Sequence, residues 1–540
     1  MGNYVSSHLN ANSEKRGKKR DVSEVQPEEE KVQEQNFQTP KRRKLKSTTK
    51  YIYQTLFLNG ENSDVTIIAM GREWPLHKVY LCQCGYFASM FSGSWRESEQ
   101  SVINMDIPDD NIDEEALKIA FGSLYRDDVS IKPANVVSAL AAATLLQLEG
   151  LICQCAEIMK ETISAKTACW YYGAAQMYGQ QGVAKKSIQW LEKHVMTMQT
   201  TTLLREISID LMKLLVSSPN LYVMQVEMDV YTMLKKWMFL LCTPTWSGSS
   251  KQVAEEADSY FRSTEPPTVY FLETEKGQQY VEAFQCLRFQ HLVNDITSTQ
   301  VLERDRIVPE SWLYPWYKCQ WHHMLKMEQG LDLGPKDIGD EIFYQTAVRY
   351  GRVLKTEKEY CWRWTGYHFG VDLLVTFTNG LLILKRNTYS QECQSSISLQ
   401  AKRYLAFRVT VSSFDTLGHT EYVKSSGIKY LSLGKDEETV VLVLDRHVTF
   451  PLCISLNILY FTPNMDMIRK AQAAMNFDAA SLVRSTDSVE TASQTGSTSS
   501  SNSSIHRDME EEEEIQGTAD NAQGTGLAPN GQQSAPNTGV

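Results

Sequence analysis

The chain has 540 residues, 42% hydrophobic and 22% charged, and a net charge of −11, unevenly spread. That length holds two to four domains, and the middle can bury real cores; a DNA-binding protein would more often show a basic folded module, and none is visible. The opening MGNYVSSHLN lacks the apolar segment of a secretory signal, no run of about eighteen apolar residues suggests a transmembrane helix, and the eleven cysteines are expected as free thiols of a reducing compartment.

Residues 1–47 are polar and charged with almost no aliphatic periodicity, so a disordered tail is expected. Its basic clusters, Lys15-Arg16, Lys18-Lys19-Arg20 and Lys41-Arg42-Arg43-Lys44, suit nuclear import. Met1-Gly2-Asn3-Tyr4-Val5-Ser6 fits the myristoylation pattern at Gly2. One acyl chain beside a basic patch suits an anionic membrane face, such as the nuclear envelope. Order begins near Ser47, with a helix that places Ile52 and Leu56 on one apolar stripe and ends at Gly60. A strand follows at Asp64–Ala69, a turn at Gly71-Arg72, a return at Glu73–Leu76, a helix from His77 and a third strand at Val102–Met105. Leu117, Ala120, Phe121 and Leu124 mark a helix with acids in its first turn, and Pro133 starts another.

From about 149 to 245 the pattern is nearly all helical, and 243–270 is less regular, broken by Pro266-Pro267. Near 360 the period changes from 3.6 to 2. Val371–Phe377 and Leu381–Lys385 flank Thr378-Asn379-Gly380, a hairpin signal. Further strands are expected at 403–411, 428–433, 439–444 and 448–460, which suggests an antiparallel sandwich or small barrel. Trp362 and Trp364, with Tyr367 and Phe369, alternate at period 2 and are candidates for a client-binding surface as well as for sheet packing. From 478 to 540 Ser, Thr, Gly and Gln dominate around an acidic run, Glu510–Glu514, and disorder is expected.

No phosphate-binding loop, dinucleotide fingerprint, zinc-protease helix or nucleophile elbow occurs, so no catalytic residue is nominated. The pairs Cys82/Cys84 and Cys153/Cys155 lack the spacing and second half of a zinc module, and no metal or cofactor is expected.

Residues 63–129 closely resemble a BTB domain: S-D-V-T-I-I (63–68), P-L-H-K-V-Y-L (75–81), Y-F-A-S-M-F-S-G (86–93), W-R-E-S (95–98) and F-G-S-L-Y (121–125). The resemblance implies a homodimer whose interface includes Asp64, His77 and Lys78, with the Ile52/Leu56 helix packing on the other subunit. Leu148–Cys155, Ser217–Val223 and Glu227–Trp237 resemble a BACK domain. BTB–BACK proteins typically bind cullin-3 through a hydrophobic-x-acid motif after the third BTB helix. Trp95-Arg96-Glu97 occupies that place, with Tyr125 and the 148–160 helix expected to add to the contact. Trp departs from the usual Met or Leu at the first motif position.

No kelch repeat or zinc finger follows. Residues 39–64, 123–133 and 359–377 instead resemble germ cell-less-like proteins, which are linked with the nuclear envelope or matrix, germ-cell development and spermatogenesis. This likeness implies a non-catalytic cullin-3 ubiquitin-ligase adaptor. Nuclear-lamina proteins and the dimerisation-partner subunit of a cell-cycle transcription factor are implied partners. A scaffold or co-repressor without ubiquitin transfer is the competing reading. The expected architecture is α+β: tail 1–47, BTB domain 48–147, BACK-like helical domain and linker 148–300, β-rich domain 340–465 and tail 478–540. The helical region would act as a spacer, and 359–461 would recruit the client.

Overall fold

The computed structural model describes residues 47–464 and 469, apart from 94–95, 264–268, 294, 330, 332–333, 337, 365–372, 387–400 and 436. The expectations for Gly2, Lys41, Arg42, Arg43, Lys44, Trp95, Tyr367, Phe369 and both tails lie outside these residues.

Ser47 caps the first helix, its hydroxyl accepting from Lys50 N at 3.4 Å. One α-turn, Thr48–Tyr51, then passes into a π-helix, Ile52–Leu58. The wider turn rotates later residues away from α-helical positions. Phe57 is the buried residue, Tyr51 and Leu58 stand exposed, and Ile52 and Leu56 are half-buried against the chain's own core. Gly60, at φ +67°, ends the element.

Strands β1 (Val65–Ala69), β2 (Arg72–Leu76) and β3 (Val102–Met105) form a sheet with β1 central, antiparallel to β2 and parallel to β3. Alternating burial along β1 puts Val65, Ile67 and Ala69 inside. Asp113 caps the helix Glu114–Ser123 by accepting from Ala116 N at 2.7 Å. Helix Val136–Leu146 ends on Gln147 in the left-handed region, and helix Glu149–Glu161 starts at once. Helices then run to Arg262. One of them, Val253–Arg262, lies in the stretch expected to be irregular, and it buries Val253, Ala257 and Phe261 at four-residue spacing. A single buried core extends from Phe57 to Leu313.

The C-terminal region holds nine strands among the described residues: β4 (Val348–Leu354), β5 (Tyr360–Trp364), β6 (Leu373–Thr378), β7 (Leu381–Arg386), β8 (Lys402–Phe414), β9 (Thr420–Ser425), β10 (Lys429–Gly434), β11 (Glu438–Val443) and β12 (Leu452–Phe461). One sheet has the order β10-β8-β12-β4 with β9 added to β8; the other is β11-β7-β6-β5. The β6–β7 hairpin turns on Asn379 and Gly380, both at positive φ, as its sequence requires. The sheets face each other: Tyr350 of β4 stacks on Trp364 of β5 with centroids 5.0 Å apart.

The β region is docked directly on the helical region. Strand β12 is buried along almost its whole length, because its sheet lies against helices on the face away from the second sheet. Arg349 on β4 reaches Glu227 at the start of helix Glu227–Cys242, with Nε–Oε2 at 2.9 Å, and also donates to the Val216 carbonyl at 2.9 Å. Both side chains are almost fully buried. Arg288 donates to the Ala347 and Tyr344 carbonyls. Burial alone would raise the Glu227 carboxyl, but Arg349 and Arg288 together hold it below its ordinary value.

Two buried histidines close the same junction. His194 Nε2 faces the Gly418 carbonyl at 3.0 Å, and His291 Nε2 faces the Thr346 carbonyl at 2.8 Å. A carbonyl only accepts, so each Nε2 carries a proton. Burial pushes His194 down to about 4 and His291 down to about 3. Folded values below the unfolded one mean that each ring's stabilisation is present above about pH 6.5. It is lost as pH falls toward the folded value, at roughly 1.4 kcal/mol per pH unit for each ring. Glu227, also depressed, adds a further loss below its unfolded range. Thermal melting is therefore expected to drop steeply between pH 6.5 and 4.5, and His291→Gln should flatten part of that slope. A melting temperature constant over the window would contradict this.

Candidate protein-interaction surfaces

The sequence nominates three constellations. The first, Asp64, His77, Lys78 and Tyr125, is brought together at the start of helix Lys78–Leu81. The Lys78 backbone N–H donates to Asp64 Oδ1 at 2.8 Å, and Lys78 Nζ donates to the Ser98 carbonyl at 2.9 Å. His77 Nε2 lies 2.9 Å from the Glu61 carbonyl, so it holds the ring proton. Nδ1 is then an acceptor, and the Tyr125 hydroxyl, 3.1 Å away, donates to it while accepting from His77 N at 3.0 Å. Burial raises the Tyr125 phenol well above its ordinary value, so it stays protonated for this work.

His77 and Tyr125 are only 7% and 3% exposed within one chain. They position the loop ahead of the helix, and neither offers a free surface to a second subunit or to a cullin. Within one chain both are positioning residues. Asp64 is exposed within one chain, and its partner is the local Lys78 backbone.

The second constellation, Trp95 and Glu97, follows helix Gly85–Ser92. Trp95 lies outside the described residues, and Glu97 falls in the one-turn 3-10 helix Arg96–Ser98. Through Ser98 that turn is tied to Lys78. Helix Glu149–Glu161 buries Leu151, Cys155, Ala156 and Met159 and leaves Cys153, Glu157 and Glu161 exposed.

The third, Trp362 and Trp364, is corrected. The indoles are 8% and 5% exposed and pack edge to face at 5.4 Å inside the sandwich. Both stand at alternate positions on β5 and point inward, where Trp364 meets Tyr350. Neither presents area to a client. Large apolar groups that do stand exposed in the C-terminal half include Tyr314, Trp321 and Met324 on helix Glu310–Glu328 and Leu417 before β9. Sequence reasoning passed over them because a long polar helix interrupted by Pro315 gives no clear stripe.

Among the described residues no cluster of three metal-ligating side chains occurs, and no helix is long and apolar enough to cross a membrane. A BTB/POZ domain family model matches residues 53–163, including helix Glu149–Glu161. Germ cell-less protein-like 1 of Homo sapiens is 54% identical over 434 residues, covering 80% of this chain and 84% of that protein. The protein germ cell-less of Drosophila melanogaster is 38% identical over 493 residues, covering 86% of each.

The chain belongs to the germ cell-less family. Kelch repeat and BTB domain-containing protein 2 of Pongo abelii is 24% identical over 184 residues, 34% of this chain and 28% of that protein. The long coverage of the germ cell-less relatives extends well beyond the BTB match, so the helical and β regions are family features along with the BTB domain.

Proposed function

We propose that this germ cell-less family protein is a non-catalytic adaptor of a cullin-3 ubiquitin ligase. Its BTB domain dimerises and holds the cullin, and the region beyond it recruits a client. The supporting observation is membership of a family built on a BTB domain, with a helical layer sharing one core with that domain. The contact is assigned to Trp95 and to Glu97, the latter on the turn that Lys78 anchors, together with the exposed side of helix Glu149–Glu161. The clusters at Lys41–Lys44 and Gly2 would place the protein in the nucleus and at its envelope, where lamina proteins and the dimerisation-partner subunit are candidate partners. The relatives' names support a germ-cell role.

Buried aromatic anchors at interfaces often cost about 2 kcal/mol or more when truncated. Trp95→Ala with Glu97→Ala in the full chain is expected to weaken cullin-3 binding at least roughly tenfold by calorimetry, with the dimer and the melting temperature unchanged. Unaltered binding would sink the assigned contact, and a wild-type chain that binds no cullin-3 would favour a scaffold. The full chain is required: a fragment ending at 245 would strip Glu227 of Arg349 and would cut the shared core.

A further inference from the structure

The helical region and the β8–β12 sheet do not close everywhere along their junction. A cavity of about 280 Å³ lies between helix Gln181–His194 and that sheet. The sheet face lining it carries Thr410, Ser412 and Ser455 beside Phe414, Val423 and Cys453, with Thr410 of β8 directly across from Ser455 of β12. Arg408, two residues before Thr410, is held by Asn220 Oδ1 at 2.9 Å and Asn457 Oδ1 at 3.2 Å, and it also donates to the Pro219 carbonyl. Its buried Nε makes no hydrogen bond among the described residues. Tyr222, 5% exposed, comes from the helical side, and its buried hydroxyl is likewise without a partner. Lys193 adds a cation whose Nζ sits 3.0 Å from Thr420 Oγ1.

The cavity thus holds two buried donors without a partner among the described residues, Tyr222 Oη and Arg408 Nε, and two cations against the single carboxylate of Glu192. Buried donors are almost always paired in folded proteins. Glu192 also lines the space: its carboxylate accepts from the Ser218 hydroxyl, and burial raises its pKa while Ser218, Lys193 and Arg408 oppose that rise, so one carboxylate stands against two cations. We propose that this cavity is an oxyanion site that takes a phosphate group, with Tyr222, Arg408 and Lys193 as donors and Thr410 and Ser455 lining its floor. A phosphate offers several strong acceptor oxygens and a charge near −2, which suits more converging donors than a single carboxylate would satisfy. The source is either free phosphate or a phosphorylated side chain of another protein. This site is independent of the cullin reading.

The test uses the full chain. Inorganic phosphate is titrated by calorimetry and phosphorus NMR at constant ionic strength, and in parallel a phosphoserine peptide and its unphosphorylated counterpart. Saturable phosphate binding is expected, weakened at least tenfold by Tyr222→Phe, which keeps the ring, and by Lys193→Met, which keeps the stem. Melting of Tyr222→Phe without phosphate should match wild type, which separates loss of binding from loss of fold. The phosphopeptide binding more tightly than phosphate, with no binding of its counterpart, would identify a protein source; phosphate binding alone would identify the free anion. Failure of wild type to bind either probe saturably, or equal binding by both variants, would show a water-filled gap or an adventitious ion only and overturn the proposal.

Discussion

Replacing Arg349 by Met is expected to destabilise the protein by about 3–5 kcal/mol, the range found when one member of a buried ion pair is removed. The cause is what remains behind. Glu227 is fully buried, and it was placed there with two guanidinium hydrogen bonds from Arg349. Arg288 donates only its backbone N–H to that carboxylate, at 3.1 Å, while its side chain is engaged by the Tyr344 and Ala347 carbonyls. Without Arg349 the carboxylate must protonate or draw water into the junction. Glu227→Gln in the Arg349→Met background removes the stranded charge and should recover part of the loss. Urea unfolding of the four combinations measures the coupling. Additive losses would mean that the pair does not join the two regions energetically.

Gly351→Ala should disrupt the same junction through space alone. A Cβ at this position would lie 1.7 Å from the Val223 carbonyl oxygen and 2.7 Å from its carbon. The obstacle is backbone, so no side-chain rotation relieves it. Gly351 also donates to the Gln225 carbonyl at 3.2 Å, which shows how closely β4 runs along that segment. Overpacking in a filled interior costs roughly 1–3 kcal/mol and occasionally more, and the rigid neighbour places this case at the upper end. Limited proteolysis should then cut between the helical and β regions. Gly173→Ala is the control: nothing lies within 4 Å of its Cβ in the middle of helix Ala168–Met177. There Ala should be neutral or stabilise by about 0.5–1 kcal/mol. A Gly351→Ala protein as stable and protease-resistant as wild type would refute the close approach of β4 to this segment.

What the sequence determined by itself is whatever local pattern encodes. The BTB motifs, the capping residues Ser47 and Asp113, the helical periodicity to 242 and the Asn379-Gly380 hairpin all specify neighbours a few residues apart, and the described structure carries each of them. The helix Val253–Arg262 was missed: the spacing of Val253, Ala257 and Phe261 carries it, but surrounding charge masked the stretch. Strands β4 and β9 were not legible, for opposite reasons: β4 buries an arginine and a glycine where a strand pattern would show apolar residues, and β9 faces solvent along most of its length.

Only the tertiary structure decided which way the chemistry-bearing residues point and which of them meet. Period 2 tells that Trp362 and Trp364 share a face, but not that this face is the inner one; β4 supplies Tyr350 against Trp364 and settles it. His77 and Tyr125, 48 residues apart, are hydrogen-bonded to each other within the chain. Glu227 and Arg349 are 122 residues apart, and each alone would be taken for a solvated charge. Their pairing depends on docking a sheet against a helix start, and no local periodicity carries that information, because the free energy that places them arises only when both surfaces leave water together.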